Sequence, residues 1–233
     1  HSVGVFALLK SYGAPLNEQV AGLLHDASHT VFSHVGDYVF ADFEKQDKEL
    51  AYQDNVHLEA LENLGISRIL RKHNISVEDM NLSLNKFPAL KCSKPDPSAD
   101  NIDYVLREGF ENGLIGSKEV SFVLKHLKLE NSKWFFDDIH AAKILSELSV
   151  RFTEKHWGCP FGAMLYSWSA ELLRHAANIN LITFDEMHYS TDHDVWKKII
   201  TSKDKQIKEH LEKILNHSDL CSYGTLEDHH LVV

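Results

Sequence analysis

An apolar period of three to four residues recurs along most of this chain, and it limits the fold more than any other feature. From Leu16 the apolar residues fall at Leu16, Val20, Leu23 and Leu24, the i, i+4, i+7, i+8 spacing of one helix face. Pro15 opens that helix, and Glu18 places an acid in its first turn, where the helix dipole favours it. The preceding stretch "VGVFALLKSYG" reads as a helix closed by Gly13. Further helices are predicted over "SHVGDYVFADFEK", over "AYQDNVHLEALENLG" to Gly65, and over "ADNIDYVLREGF". Two long amphipathic helices follow, "DDIHAAKILSELSVRFTEKHW" and "PFGAMLYSWSAELLRHAANI", and "TDHDVWKKIITSKDKQIKEHLEKIL" carries two more. The stripe Trp157, Phe161, Leu165, Trp168 reads as core.

Only 11 Gly and 5 Pro occur in 233 residues, too few for a barrel or sandwich built on many turns. The one segment with period two is "HLKLENSKWFFDD", with Asn131-Ser132 at its turn, and it reads as a small hairpin. The expected class is therefore all-α, a helical globule with a small β-hairpin. A boundary falls near Ser117, with residues 1–116 expected as the site-bearing part. Residues 117–233 are expected to pack on it as one continuous globule.

Acids outnumber bases 34 to 24, for a formal charge of −10. Such a surface argues against general nucleic-acid binding, which needs basic stripes to displace counterions. The three cysteines, Cys92, Cys159 and Cys221, are scattered and form no paired motif, which suits reduced thiols in the cytoplasm. No run approaches the ~18 apolar residues of a membrane span, and no signal peptide is visible.

The stretch "AGLLHDASHTVFSHVGD" sets His25, Asp26, His29, His34 and Asp37 directly behind a core-forming run. Read as helix, His25 and His29 are one turn apart and Asp26 and His29 share a face. Imidazole with carboxylate suits a first-row divalent cation. A single histidine at a helix end is ordinarily a cap, and this segment alone does not complete a metal shell.

"HSVGV" at the start, "LLHDASHTVFSH" and "ADNIDYVLRE" together resemble the HD-domain metal-dependent phosphohydrolases, closest in style to the deoxynucleoside triphosphate triphosphohydrolases. The resemblance covers the first half of the chain, through about Gly109. It implies a helical HD domain over residues 1–116 whose metal ligands are His1, His25, Asp26 and Asp100. One divalent ion (Mn, Fe, Mg, Co, Ni or Zn) would be balanced by two carboxylates, with about two positions open for water and a phosphoryl oxygen. The implied activity is hydrolysis of a nucleotide or related small phosphate ester by metal-activated water.

The resemblance also implies catalytic roles for Asp26, for His29 and, on a looser match, for His57. His29 would meet a phosphate or leaving-group oxygen. An exposed helix histidine is an equally good reading of His57. His34, Asp37, Tyr104 and Arg107 would bind substrate, while Asp103 and Arg107 form an i, i+4 pair that braces their helix. Asn101 stands where the triphosphohydrolases carry a phosphate-contacting lysine, which argues against a triphosphate substrate. Lys94 is a candidate replacement.

Two other classes compete. A terminal His1 binding copper through amine and ring would belong to a secreted, β-rich protein, against the helical pattern. A regulatory HD domain would bind metal and nucleotide without turnover. Expected partners are a small phosphorylated substrate and, through helical surfaces, further copies of the chain.

Overall fold

A computed structural model describes residues 1–40, 51–83, 86–93 and 95–216. In chain order its helices are α1 (Ser2–Ser11), α2 (Leu16–Leu24), α3 (Val35–Val39), α4 (Tyr52–Asn55), α5 (His57–Asn63), α6 (Ile66–Lys72), α7 (Ala99–Glu111) and α8 (Ser117–His126). Strands β1 (Leu127–Glu130) and β2 (Lys133–Phe136) follow, then α9 (Ile139–Phe152), α10 (Pro160–Asn178), α11 (Phe184–Tyr189), α12 (Asp192–Thr201) and α13 (Lys205–Leu215). Among the described residues the chain is mostly helical with one small antiparallel hairpin, as the apolar period predicts. None of the described helices is long and apolar enough to cross a membrane.

Two compact units divide the chain, and each is described by itself. One comprises His1–His29 and Phe40–Ala163; the other comprises Thr30–Val39 and Met164–Val233.

In the first unit α1 lies against both α2 and α7, and α7 against α9. Val5 and Leu9 of α1, Leu61 of α5 and Ile102 of α7 are wholly or almost wholly removed from water, each contributing about 1.5–3 kcal/mol of apolar burial. Gly13 closes α1 with φ +75°, a left-handed turn that costs glycine nothing.

The hairpin has the expected turn. Asn131 and Ser132 take φ 51° and 60° between Glu130 and Lys133, which pair across the strands. Two left-handed residues in a two-residue loop match the right-handed twist of the strands. Trp134 points inward from β2, and its indole donates to the Ala89 carbonyl at 2.7 Å.

Ala89 is an anchor for the site. Its carbonyl also accepts the amide of Ala99 at 2.8 Å, at the first residue of α7. Its own amide, with that of Leu90, donates to Oε1 of Glu18 at 2.7 and 3.1 Å. Glu18 is therefore not a solvated first-turn acid. It is 3% exposed, and it ties the segment leading into α7 onto α2.

In the second unit, Val31 donates its amide to the Met187 carbonyl at 2.9 Å, and the Phe32 amide donates to Asp192 at 2.8 Å. Arg174 of α10 donates to the carbonyls of Val39 and Tyr38. The "DHD" triplet begins α12, capped by Thr191, as helix-start chemistry predicts.

Several expectations are corrected. The helix predicted over 51–65 is two short helices, broken at Val56, whose φ and ψ are −97° and 4°. The helix predicted to run to Trp157 stops at Phe152 and passes into a π turn over Thr153–Trp157. The aromatic stripe is not core: Trp157 is 38% exposed, and α10 buries Ala170, Leu172, Leu173 and Ala176 instead. Of "SHVGDYVFADFEK", Val35–Val39 is helical and residues 41–45 lie outside the described residues, as do Lys94 and Cys221.

Candidate metal centre

His25 is where α2 ends. It serves as the C-cap, with φ −57° and ψ −29°. The residues behind it form turns and not the helix expected from the sequence: Ala27 donates to the Leu24 carbonyl and His29 to that of Asp26. These tight turns still bring the side chains of Asp26 and His29 together, with Asp26 Oδ1 3.2 Å from His29 Nε2. His1 caps the other end of the arrangement, at the N-terminus of α1. Asp100 is the second residue of α7. Packing of α1 against α2 and α7 thus gathers residues 1, 25, 26 and 100.

Contacts among them close into a ring of alternating nitrogen and oxygen. His1 Nε2 lies 3.0 Å from Asp100 Oδ1, which lies 3.5 Å from His25 Nε2. His25 Nε2 lies 3.3 Å from Asp26 Oδ1, and Asp26 Oδ2 lies 3.8 Å from His1 Nε2. His1, His25 and Asp26 each offer a ligand atom within 4.8 Å of the other two. Adjacent ligands at about 2.1 Å around an octahedral ion stand roughly 3 Å apart, so these spacings suit one cation.

The hydrogen bonds fix which ring nitrogens face inward. His25 Nδ1 donates to the Gly22 carbonyl at 2.8 Å. His25 Nε2 is buried without a hydrogen-bond partner, and in the neutral ring it carries the lone pair. His1 Nδ1 donates to Asp103 Oδ2 at 2.8 Å, leaving its Nε2 toward Asp100 and Asp26. An unbonded buried nitrogen facing two carboxylates is costly unless a cation or a proton lies between them. The donor set, two imidazoles and two carboxylates, fits a first-row divalent ion.

The four groups pair as acids and bases. Burial opposes the charged form of His1, but its hydrogen bonds to Asp100 and Asp103 raise its pKa to about 10. His25 is raised by Asp100 and Asp26 against the same opposition from burial. Burial pushes Asp100 up, yet its contacts with His1 and His25 hold it well below the usual carboxylate range. Asp26 is lowered likewise, by His29, His25 and His1. Without metal, ring protons hold the carboxylates together; a divalent ion would replace them.

Around this ring Ser2 donates its hydroxyl to Asp26 Oδ2 at 3.1 Å. Tyr104 lies 6.2 Å from the His1 ring and 4.8 Å, edge to face, from Trp157. Its hydroxyl accepts from the Asn101 amide at 2.6 Å, while Asn101 Oδ1 accepts from Ser98 at 3.0 Å. Arg107 spends two donors on Asp103, at 3.1 and 3.0 Å. His57, at the start of α5, is wholly buried, so the exposed reading fails. Its Nδ1 meets Ser28 Oγ at 2.9 Å, and its Nε2 has no hydrogen-bond partner. Burial, with the charges of His25 and Lys91, lowers its pKa to about 4.

His34 and Asp37 belong to the second unit. Asp37 Oδ2 lies 3.4 Å from His34 Nδ1, the local pairing that their i, i+3 spacing predicts. Three partners escaped the sequence reading: Ser2 on Asp26, Ser28 on His57, and Asp103 on His1. Ser2 and Asp103 stand inside the quoted motifs, but their partners are remote in sequence.

No family model matches the chain. It is 32% identical over 214 residues to "Uncharacterized protein YdhJ" of Bacillus subtilis, covering 92% of this chain and 64% of that protein. It is 26% identical over 220 residues to "Metal-dependent phosphohydrolase cns2" of Cordyceps militaris, covering 92% of this chain and 62% of that protein. A shorter match, 30% over 132 residues, is to "Uncharacterized protein MG461 homolog" of Mycoplasma pneumoniae, covering 48% of this chain and 31% of that protein. The chain spans just under two thirds of the length of the first two relatives.

Proposed function

We propose that this chain is a metal-dependent phosphohydrolase of the HD type, acting on a nucleotide or related small phosphate ester with one divalent ion. The observation that carries this reading is the ring of His1, His25, Asp26 and Asp100 around the unbonded His25 Nε2. The name of the Cordyceps relative, a metal-dependent phosphohydrolase, supports the hydrolase class and the need for a metal. A bound divalent cation would polarise water toward attack and draw charge from the phosphoryl oxygens.

The chain's own residues do the rest. Asp26 serves both as ligand and as the group that holds His29 Nε2 at 3.2 Å, so His29 is set to donate a proton or stabilise charge on a phosphate oxygen. Tyr104 accepts its hydrogen bond from Asn101, which leaves its own hydroxyl proton for a substrate oxygen. His57 stays neutral around pH 7 and keeps Ser28, two residues after Asp26, in place. Asn101 brings no cation, so a nucleotide monophosphate or cyclic phosphodiester is favoured over a triphosphate. Arg107 would act through Asp103.

Phosphorylated nucleotides, screened with Mn, Mg, Co, Ni, Fe and Zn in turn, test this. The assay resolves phosphate, pyrophosphate and triphosphate release. Metal-dependent turnover lost in Asp26→Ala is the expected result. No turnover with any ion, but nucleotide binding that survives, would leave a regulatory domain in place of an enzyme.

A further inference from the structure

We infer that Asp103 is the positioning residue of the metal centre. Its carboxylate orients the His1 ring and makes Nε2 the better ligand, and Gly4 and Arg107 hold that carboxylate in place. This rests on the metal reading above and adds a residue that does not touch the ion.

His1 needs such a partner more than His25 does. His25 is fixed at a helix end by its bond to a backbone carbonyl. His1 precedes α1, caps nothing with its side chain, and must reach across to α7. A free imidazole there rotates among rotamers and offers either nitrogen. The bond from Nδ1 to Asp103 Oδ2, at 2.8 Å, removes both freedoms. It selects the neutral tautomer with its lone pair on Nε2, toward Asp100 and Asp26, and raises that nitrogen's basicity. Asp100 and Asp103 are three apart on α7, so one helix face supplies both the ligand and the partner of another ligand.

Two features show that Asp103 is held for this purpose. Both of its oxygens are bound by Arg107, Nε to Oδ2 and Nη2 to Oδ1, a fork that fixes the carboxylate plane. That pair is also neutral, so the ion's charge remains balanced by Asp26 and Asp100. A solvent-exposed i, i+4 pair contributes little, but the Asp103 side chain is 13% exposed and sits between His1 and Arg107.

The second feature is Gly4, one turn along α1 from His1. A Cβ there would lie 2.1 Å from Asp103 Oδ1 and 2.3 Å from Arg107 Nη2. The ion pair occupies the place a side chain would take. Glycine here admits the bridge to the helix that carries His1.

The experiment uses the purified chain with Mn2+ as probe. Affinity is read by calorimetry, and pulsed electron paramagnetic resonance with 15N-histidine labelling counts the coordinated ring nitrogens. Wild type should bind Mn2+ with two histidine couplings. Asp103→Ala should lose 10–100-fold in affinity and drop to one coupling, with the metal-free fold intact by circular dichroism. Asp103→Asn keeps an acceptor oxygen for Nδ1, guards against a folding failure, and should fall between the two. If wild type binds with two couplings and both variants keep that affinity and both couplings, Asp103 has no positioning role. If wild type binds no Mn2+, the metal reading itself fails and this proposal falls with it.

Discussion

His57 supplies the sharpest test of the packing around the site. It is wholly buried, and its pKa is lowered to about 4 from an ordinary 6.5, first by burial and then by the charges of His25 and Lys91. Between those two values the unfolded chain holds a proton on this ring that the folded chain rejects. Stability therefore falls as pH drops through that window. The linkage comes to about 2 kcal/mol between roughly pH 7.5 and pH 5, and about 3 kcal/mol once both states are protonated. His1 and His25 act in the opposite sense in the metal-free chain. Their folded pKa values are raised, so their contribution is full below about 6.5 and is lost as pH rises. The net profile mixes these signs, so the comparison must be with a variant. His57→Gln keeps a polar partner for Ser28 and removes the titration. Urea unfolding of wild type and variant at about pH 7.5 and pH 5, with chelator present, isolates the term. Wild type should lose about 2 kcal/mol more than His57→Gln on acidification. Equal losses would refute the claim that this ring is buried and neutral.

Other outcomes follow from single contacts. Glu18→Ala leaves the buried amides of Ala89 and Leu90 without their acceptor; urea melts should show about 2–5 kcal/mol of lost stability, a large share of a typical domain's roughly 5–15. Gly4→Ala drives a methyl into Asp103 and Arg107 and should cost about 1–3 kcal/mol by the same melts, with weakened Mn2+ binding in calorimetry. A divalent ion at ~100 times its Kd should stabilise the chain by about 2.7 kcal/mol, seen as a higher Tm that chelator reverses. That gain should vanish in Asp26→Ala.

How much of this was legible in the sequence depends on whether the determinant is local. Helix α2 and the Asn131-Ser132 hairpin are legible, because apolar spacing and turn chemistry act over a few residues, but the face α2 buries is not: Glu18, Ala21 and Gly22 are buried, while Leu16 and Leu23 are 63% and 40% exposed. The ends of α4 and α9 were not: the apolar period runs on past Val56 and Phe152, and nothing local marks either break. Helices α8 and α11 are not predicted from the apolar period, although Thr183 and Glu186 form a capping box that marks the start of α11. Glu18 read as a helix-dipole acid, because its partners at Ala89 and Leu90 are about seventy residues away. The metal ligands were legible only as motifs resembling a known family, since no spacing rule brings residue 1 to residue 100. Asp103 is only half legible, for the same reason. Its i, i+4 partner Arg107 is visible in the sequence, whereas its bond to His1 exists only once α1 packs on α7.

The proposed function depends on the imidazoles of His1 and His25 and the carboxylates of Asp26 and Asp100 holding one cation. Anomalous diffraction from a crystal of this chain soaked in Mn2+ tests it most directly. One strong peak is expected, bonded at about 2.0–2.4 Å to His1 Nε2, His25 Nε2 and an oxygen of each aspartate. A peak elsewhere, or none among these four side chains, would contradict it.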